Sequence, residues 1–303
     1  MKRINYFFLL LGTLLLSCQT AEEHAAQDTP TSGVLKIYAD KGLEKLIENQ
    51  TYTFSQLYKQ AKFDVYYHSE QEAIKALYDD SCKVIALNRN FSTTELEQFK
   101  QANVYLNTSF ICKSAIVLLV NKEATDSTIK LEALKALIGG DSSSSYFNKI
   151  VFENEKSSAI YYCTDSLLKK KSIGKNCYAV KDFTELFTLL NTNKRSIAVL
   201  DYAWISDSDD SLTKSIKEKY KLLAVAPVGK DVAYYPDQSN IQTTDYPLTR
   251  YVYVTRRGQD FSLAAGFITF VAGPNGQVML LKTGFAPWRQ PERVISIDMK
   301  PIN

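Results

Sequence analysis

The sequence predicts an α/β fold built on a largely parallel sheet. Short apolar runs of strand character alternate with amphipathic stretches of helical spacing along most of the chain, and that alternation marks helices packed on a parallel sheet. Two of the helices are announced by capping boxes, Ser69 with Glu72 and Ser92 with Glu95, in which serine and glutamate satisfy each other's free backbone N–H groups. Over 303 residues the composition is 45% apolar and 23% charged, ordinary for a globular chain with a sizeable core.

The elements follow in order. Val34 to Ala39 predicts the first strand, and a helix runs from about Gly42 to Lys59 with Leu43, Leu46, Ile47, Phe54, Leu57 and Tyr58 on one face. Phe63–Tyr67 is the second strand; the Ser69 box opens a helix carrying Ile74, Leu77 and Tyr78. Val84–Leu87 is the third strand, and the Ser92 box opens a helix carrying Leu96 and Phe99. Ala115–Val120 is a strand, and Leu131–Ile138 is a helix stopped by Gly139-Gly140. Strands are expected at Lys149–Phe152, Cys177–Val180 and Ile197–Leu200, with helices at Ser157–Lys170 and around Phe183, Leu186, Phe187 and Leu190. The acidic stretch Asp207–Ser211 reads as an exposed loop that lacks the glycine and the terminal glutamate of a calcium loop. Tyr251–Val254 is a strand, Phe261–Val271 and Gln277–Lys282 are helices, and Val294–Ile297 is a last strand.

Ahead of these elements lies a different kind of segment. Lys2 and Arg3 precede an apolar run from Tyr6 to Leu16, which is too short to span a bilayer, a task needing about 20 residues. Charge, a short apolar stretch and a small-residue cleavage site describe an export signal. Leu15-Leu16-Ser17-Cys18 resembles the bacterial lipobox, in which the cysteine is lipidated and becomes the new N-terminus. The expected organisation is a signal peptide over 1–17, then a lipidated Cys18 and a polar tether over 18–32. Such a coil reaches on the order of 20 Å. The expected location is the cell envelope, anchored by lipid to the periplasmic face of either membrane or to the cell surface.

Removing the leader takes away Lys2 and Arg3 and leaves basic and acidic residues nearly balanced, so no electrostatic footprint for nucleic acid remains. Cys82, Cys112, Cys163 and Cys177 match no zinc or redox spacing. An oxidising envelope permits disulfides, but the spacings fix no pairing. Cys82 and Cys112 lie beside apolar strand-like runs, so buried free thiols are the plainer expectation. The two histidines, His24 and His68, form no metal motif, and no nucleophile elbow or phosphate-binding P-loop is present. The expectation is therefore a protein that is not an enzyme and carries no cofactor or metal.

What remains are three strand-to-helix turns with polar residues where a helix would begin: Asp40-Lys41-Gly42, Asn88-Arg89-Asn90, and Asn154 through Ser157 and Ser158. Free N–H groups at a helix start favour anions, and ligands of open α/β sheets bind at the carboxyl ends of strands.

Several stretches together resemble the phosphate-binding lipoproteins of phosphate ABC transporters, the PstS-like family, in its Bacteroidetes branch. They are Ala39-Asp40, Ile116 to Lys122, Leu134 to Gly140, Phe152 to Ser158, the pentad Tyr246-Pro247-Leu248-Thr249-Arg250, Gly276-Gln277, and Gly284 with Pro287. The resemblance implies a type II periplasmic binding protein: two α/β lobes joined by two crossover strands, with a ligand cleft between them. Lobe one would be 33–112 plus 247–303, and lobe two 113–246. It further implies that phosphate or a related small oxyanion is captured in the cleft for an ABC transporter permease, and that Asp40, Lys41, Gly42, Asn88, Arg89, Asn154, Ser157 and Ser158 contact it. An aspartate in such a site accepts the proton of a protonated oxyanion and so selects phosphate over sulfate.

The chain departs from the family pattern in places. Its first turn carries Lys41, and its lobe-two loop has Lys156 but neither arginine nor glycine, with Ala159 where a hydroxyl is usual. Glu153 and Glu155 add negative charge beside the proposed anion. These changes leave two other readings open. One is a non-transport accessory subunit of an envelope complex on a degenerate binding-protein fold; the other is a binding protein for a different solute such as molybdate, an organic anion or a sugar acid.

Overall fold

The computed structural model describes residues 28–169 and 172–290. The leader, Cys18, most of the tether and the strand expected at Val294–Ile297 lie outside the described residues.

The chain begins with β1 (Gly33–Asp40), a 3-10 turn (Lys41–Leu43) and α1 (Glu44–Leu57), then β2 (Ala61–His68), α2 (Glu70–Tyr78), β3 (Val84–Leu87) and α3 (Thr93–Gln101). The middle holds β4 (Leu106–Asn121), β5 (Thr128–Lys130), α4 (Leu131–Ile138), β6 (Lys149–Phe152), α5 (Ser158–Tyr162), β7 (Cys177–Ala179), α6 (Phe183–Thr192) and β8 (Ser196–Asp201). The last third holds α7 (Ser211–Lys219), β9 (Tyr220–Leu222), β10 (Ala224–Ala226), α8 (Gln238–Thr243), β11 (Thr249–Arg257), α9 (Leu263–Ala272), α10 (Pro274–Lys282) and β12 (Ala286–Pro287).

Both capping boxes form with both of their hydrogen bonds. Gly139 caps α4, and Gly140 follows at φ +104°, a left-handed backbone that glycine adopts at no steric cost. The helix expected over Ser157–Lys170 is shorter: α5 ends at Tyr162 and a wider π turn takes over at Cys163–Leu167. There the Thr164 hydroxyl donates back to the carbonyl of Ile160 at 3.2 Å, a bond that competes with the helical ladder. Asp210 is spent as the N-cap of α7, and no cluster suited to a metal ion occurs among the described residues. The four cysteines there are free thiols, three of them buried. No single described helix is long and apolar enough to cross a membrane.

The main sheet has ten strands, ordered β2-β1-β3-β11-β4-β8-β6-β7, with β9 and β12 also on β4. Strands β1, β2 and β3 are mutually parallel, as are β6, β7 and β8, while β11 and β4 run antiparallel to their neighbours. β4 is the seam. Its first part, Leu106 to Ala115, pairs with β11, and Ile116 to Val120 pairs with β8. The strand is far longer than the expected Ala115–Val120, because Asn107, Thr108 and Ser109 interrupt the apolar signal in its first part while the pairing continues. One half of the sheet (β2, β1, β3, β11) thus lies on one side of β4, and the other half (β8, β6, β7) lies across it. Phe54 of α1 packs edge-on against Phe63, Phe267 and Phe270, which fixes α1 and α9 on the first half. One continuous core then runs through both halves.

Candidate binding site

The parallel strands of both halves deliver their carboxyl ends to one place. Asp40 ends β1, Asn88 follows β3, Glu153 follows β6 and Asp201 ends β8. Arg250 reaches the same place from β11 by register. Tyr253 pairs with Leu87, so the chain three residues earlier lies beyond the end of β3. On the seam, Arg250 pairs with Ser114 and Asp201 with Ile116. Ser114 and Ile116 are two residues apart and share a face, and paired residues point the same way. Arg250 and Asp201 therefore flank β4 on one face of the sheet.

The hydrogen bonds are dense. Asp40 Oδ1 accepts from the Gly42 amide at 2.9 Å, from Asn88 Nδ2 at 3.0 Å and from the Ser158 hydroxyl at 2.9 Å. The Ser158 oxygen in turn accepts from Arg250 Nη1 at 2.9 Å and Asn88 Nδ2 at 3.3 Å. Arg250 Nη2 donates to Asp201 Oδ2, which Asn88 Nδ2 also meets at 3.4 Å. Glu153 accepts from the Ser157 hydroxyl and from the Asp201 amide, each at 3.3 Å. Glu70 of α2 accepts from the Asn88 amide at 3.0 Å. Asp40 and Asp201 are 0% exposed and Arg250 4%. Four polar atoms of the cluster are buried with no partner among the described residues: Asp40 Oδ2, Asn88 Oδ1, Asp201 Oδ1 and Arg250 Nε.

The electrostatics are those of carboxylates crowded in low dielectric. Burial raises the carboxyl of Asp40 well above its usual value, and the charges of Glu70 and Asp201 add to this, against Arg250 and Ser158. Burial pushes Glu153 up to about 8, helped by Asp201 and Asp40. Asp201 is raised by burial, with Arg250 opposing, and Glu70 by burial, with Arg89 opposing. Glu153 therefore keeps its proton at neutral pH.

Of the residues singled out from sequence, Asp40, Gly42, Asn88, Ser157 and Ser158 belong to this cluster. Three turn away. Lys41 pairs with Glu44 at 2.5 Å. Arg89 is spent on Glu70 at 3.0 Å and on both oxygens of Glu95 at 2.8 and 2.9 Å. Asn154 accepts from the amide of Lys156 and so closes its own loop. Sequence reasoning missed Arg250 and Asp201 as site residues. Arg250 stood in the Tyr-Pro-Leu-Thr-Arg pentad, and Asp201 is a charged residue ending a buried strand, the same signal that marked Asp40. Glu153 was noticed only as an adverse charge. At the mouth of the cleft a cavity of about 390 Å³ is lined by Lys41, Tyr67, His68, Asn154, Glu155, Lys156, Val180 and Lys181. There Lys156 bridges to Glu72 of the opposite half at 2.7 Å.

A two-halved α/β sheet whose strand ends converge on one buried polar site is the architecture of the type II periplasmic binding protein fold. The chain belongs to the PBP (periplasmic binding protein) superfamily: the family model described as PBP superfamily domain matches residues 24–275. No curated protein matches it in sequence. Solved structures share the type II fold at low identity. A protein from Clostridium perfringens, assigned as a phosphate ABC transporter substrate-binding protein and solved with bound phosphate, has a TM-score of 0.65 at 14% identity, over 85% of this chain and 100% of that one. The ABC-type phosphate transport receptor from Vibrio cholerae has a TM-score of 0.63 at 14% identity, over 83% and 99%. PstS from Borrelia burgdorferi has 0.55 at 15%, over 84% and 98%.

Proposed function

We propose that this chain is an envelope lipoprotein that captures a small protonated oxyanion of the phosphate class between its lobes, for an ABC transporter. The observation that carries the reading is the convergence of Arg250 with Ser158, Asn88, the Gly42 amide and Asp40. Guanidinium, hydroxyl and amide donors suit oxyanion oxygens. A buried carboxyl beside them suits the proton of a partly protonated anion. The lobes are 33–112 plus 247–303 and 113–246, with β4 and the segment before β11 as crossovers, and the lipid sits on Cys18. The phosphate bound to the Clostridium perfringens protein and the phosphate-transport role of the Vibrio cholerae receptor agree with this reading.

Calorimetry on the full chain in detergent tests it. Saturable heat with orthophosphate, and none with sulfate, is expected. No heat at millimolar phosphate, in protein shown to carry no retained anion, removes the reading. Fractionation tests the anchor: Cys18→Ala is expected to leave the membrane fraction, and membrane retention of that variant would remove the lipid.

One specific observation favours a second reading. Asp40, Glu70, Glu153 and Asp201 outnumber the arginines that face them, a poor setting for a dianion. On that reading the closed form serves as an accessory subunit of an envelope complex. Pull-down from native membranes separates the two: a transporter permease as partner supports capture, and its absence with another envelope machine present supports the accessory role.

A further inference from the structure

At the first turn, Gly42 offers bare backbone to whatever lies across the cleft. A Cβ there would collide with the Asp201 carboxylate, so the group seated on this bare turn is Asp201 itself. Asp201 comes from β8, in the far half of the sheet, whereas Gly42, Asn88 and Arg250 belong to the near half. Its Oδ2 takes an N–H from Arg250 and another from Asn88, while its Oδ1 has no partner among the described residues. A negatively charged, two-oxygen group thus rests against the guanidinium, the amide and the glycine turn that the capture reading assigns to an oxyanion.

We infer that Asp201 is a built-in anion, which fills the place of the solute against Arg250 and holds the two halves closed until a solute displaces it. The inference rests on the capture reading for the identity of the solute, but not for the closure. Four more cross-cleft bonds assemble around this contact: Ser158 donates to Asp40 and accepts from Asn88 and Arg250, and Lys156 donates to Glu72. Because the binding-competent open form is then a minor one, apparent affinity falls by the fraction that is open. Removing the internal anion raises affinity without adding any contact to the solute.

The test combines hydrogen exchange and calorimetry on the full chain in detergent, with wild type, Asp201→Asn and Gly42→Ala. Gly42→Ala evicts the carboxylate sterically and keeps its charge, so it answers the question if the first variant fails to fold. In phosphate-free buffer the wild type is expected to exchange slowly over β8 and the β6–α5 turn. Each variant is expected to exchange at least about tenfold faster there, and Asp201→Asn, which leaves the glycine turn bare for the solute, to bind orthophosphate at least about tenfold tighter than wild type, on the scale of about 1.4 kcal/mol per decade. Wild-type exchange in both variants without phosphate overturns the inference. Faster exchange in the variants with no phosphate heat from Asp201→Asn upholds the internal anion and removes phosphate as the solute.

Discussion

Arg250 and Asp201 face each other across the seam strand from register positions two residues apart, and together they form a fully buried ion pair. The pair joins the two halves of the molecule at their centre. Taking one partner away leaves a buried charge uncompensated, which costs about 3–5 kcal/mol. Arg250→Met is expected to lower stability by about that amount in urea unfolding. Arg250→Lys recovers little of it, because one ammonium cannot serve both Ser158 and Asp201 as two guanidinium nitrogens do.

Stability should rise as the medium becomes more acidic. Glu153 has its folded value raised from 4.5 to about 8, so the folded state binds the proton more tightly than the unfolded chain. Its contribution is full below about 4.5 and is lost as pH rises through about 8. Asp40, Asp201 and Arg250 face it from β1, β8 and β11, and the raised carboxyls of Asp40 and Asp201 act in the same direction. A thermal melt series between about pH 5 and pH 8.5 should show the midpoint falling with pH. Glu153→Gln should flatten that slope, and an unchanged slope would show that Glu153 does not hold the proton.

Arg89 is a conspicuous cation next to the cleft, yet each of its three guanidinium nitrogens donates to Glu70, Glu95 or the carbonyl of Asn90. Arg89→Ala is expected to leave oxyanion affinity within about twofold, under half a kcal/mol, while lowering stability. Ser158→Ala should do the reverse of the first part and weaken binding by about tenfold, the worth of a charge-assisted hydrogen bond. Titrating both variants side by side distinguishes a structural arginine from a ligand-contacting serine.

The bridge between Lys156 and Glu72 spans the cleft mouth in solvent, with side-chain exposures of 64% and 43%. Exposed pairs contribute about 0–1 kcal/mol. Lys156→Ala is therefore expected to change the melting midpoint little, and raising salt should mimic the mutation. A loss comparable to that of Arg250→Met would show that closure is held at the mouth instead of at the seam.

Much of this architecture is legible in the sequence. Strands such as Val84–Leu87 and Lys149–Phe152 are short apolar runs bounded by polar turns, and burial on both faces explains why no alternation was needed. Asp40, Asn88 and Ser158 are legible because a polar residue closing a buried strand or opening a helix has a local signature. The partners of these residues are not legible. Arg250 and Asp201 meet only because β11 and β8 lie on either side of β4, a relation set by strand order, which local pattern does not carry. Arg89 was misleading for a similar reason: its neighbours Glu70 and Glu95 come from two separate helices that only the fold brings within reach.

β4 also sets how this molecule can move. Its ladders run from Leu106 against Arg257 to Val120 against Ile197 with a single irregularity, at Val252/Tyr253. A sheet shared so completely behaves as a leaf spring rather than as a door on a pin. Any opening stroke then flexes β4 lengthwise together with the segment before β11. Asp201 and Arg250 then act as the catch at the middle of the blade, where the smallest displacement separates them.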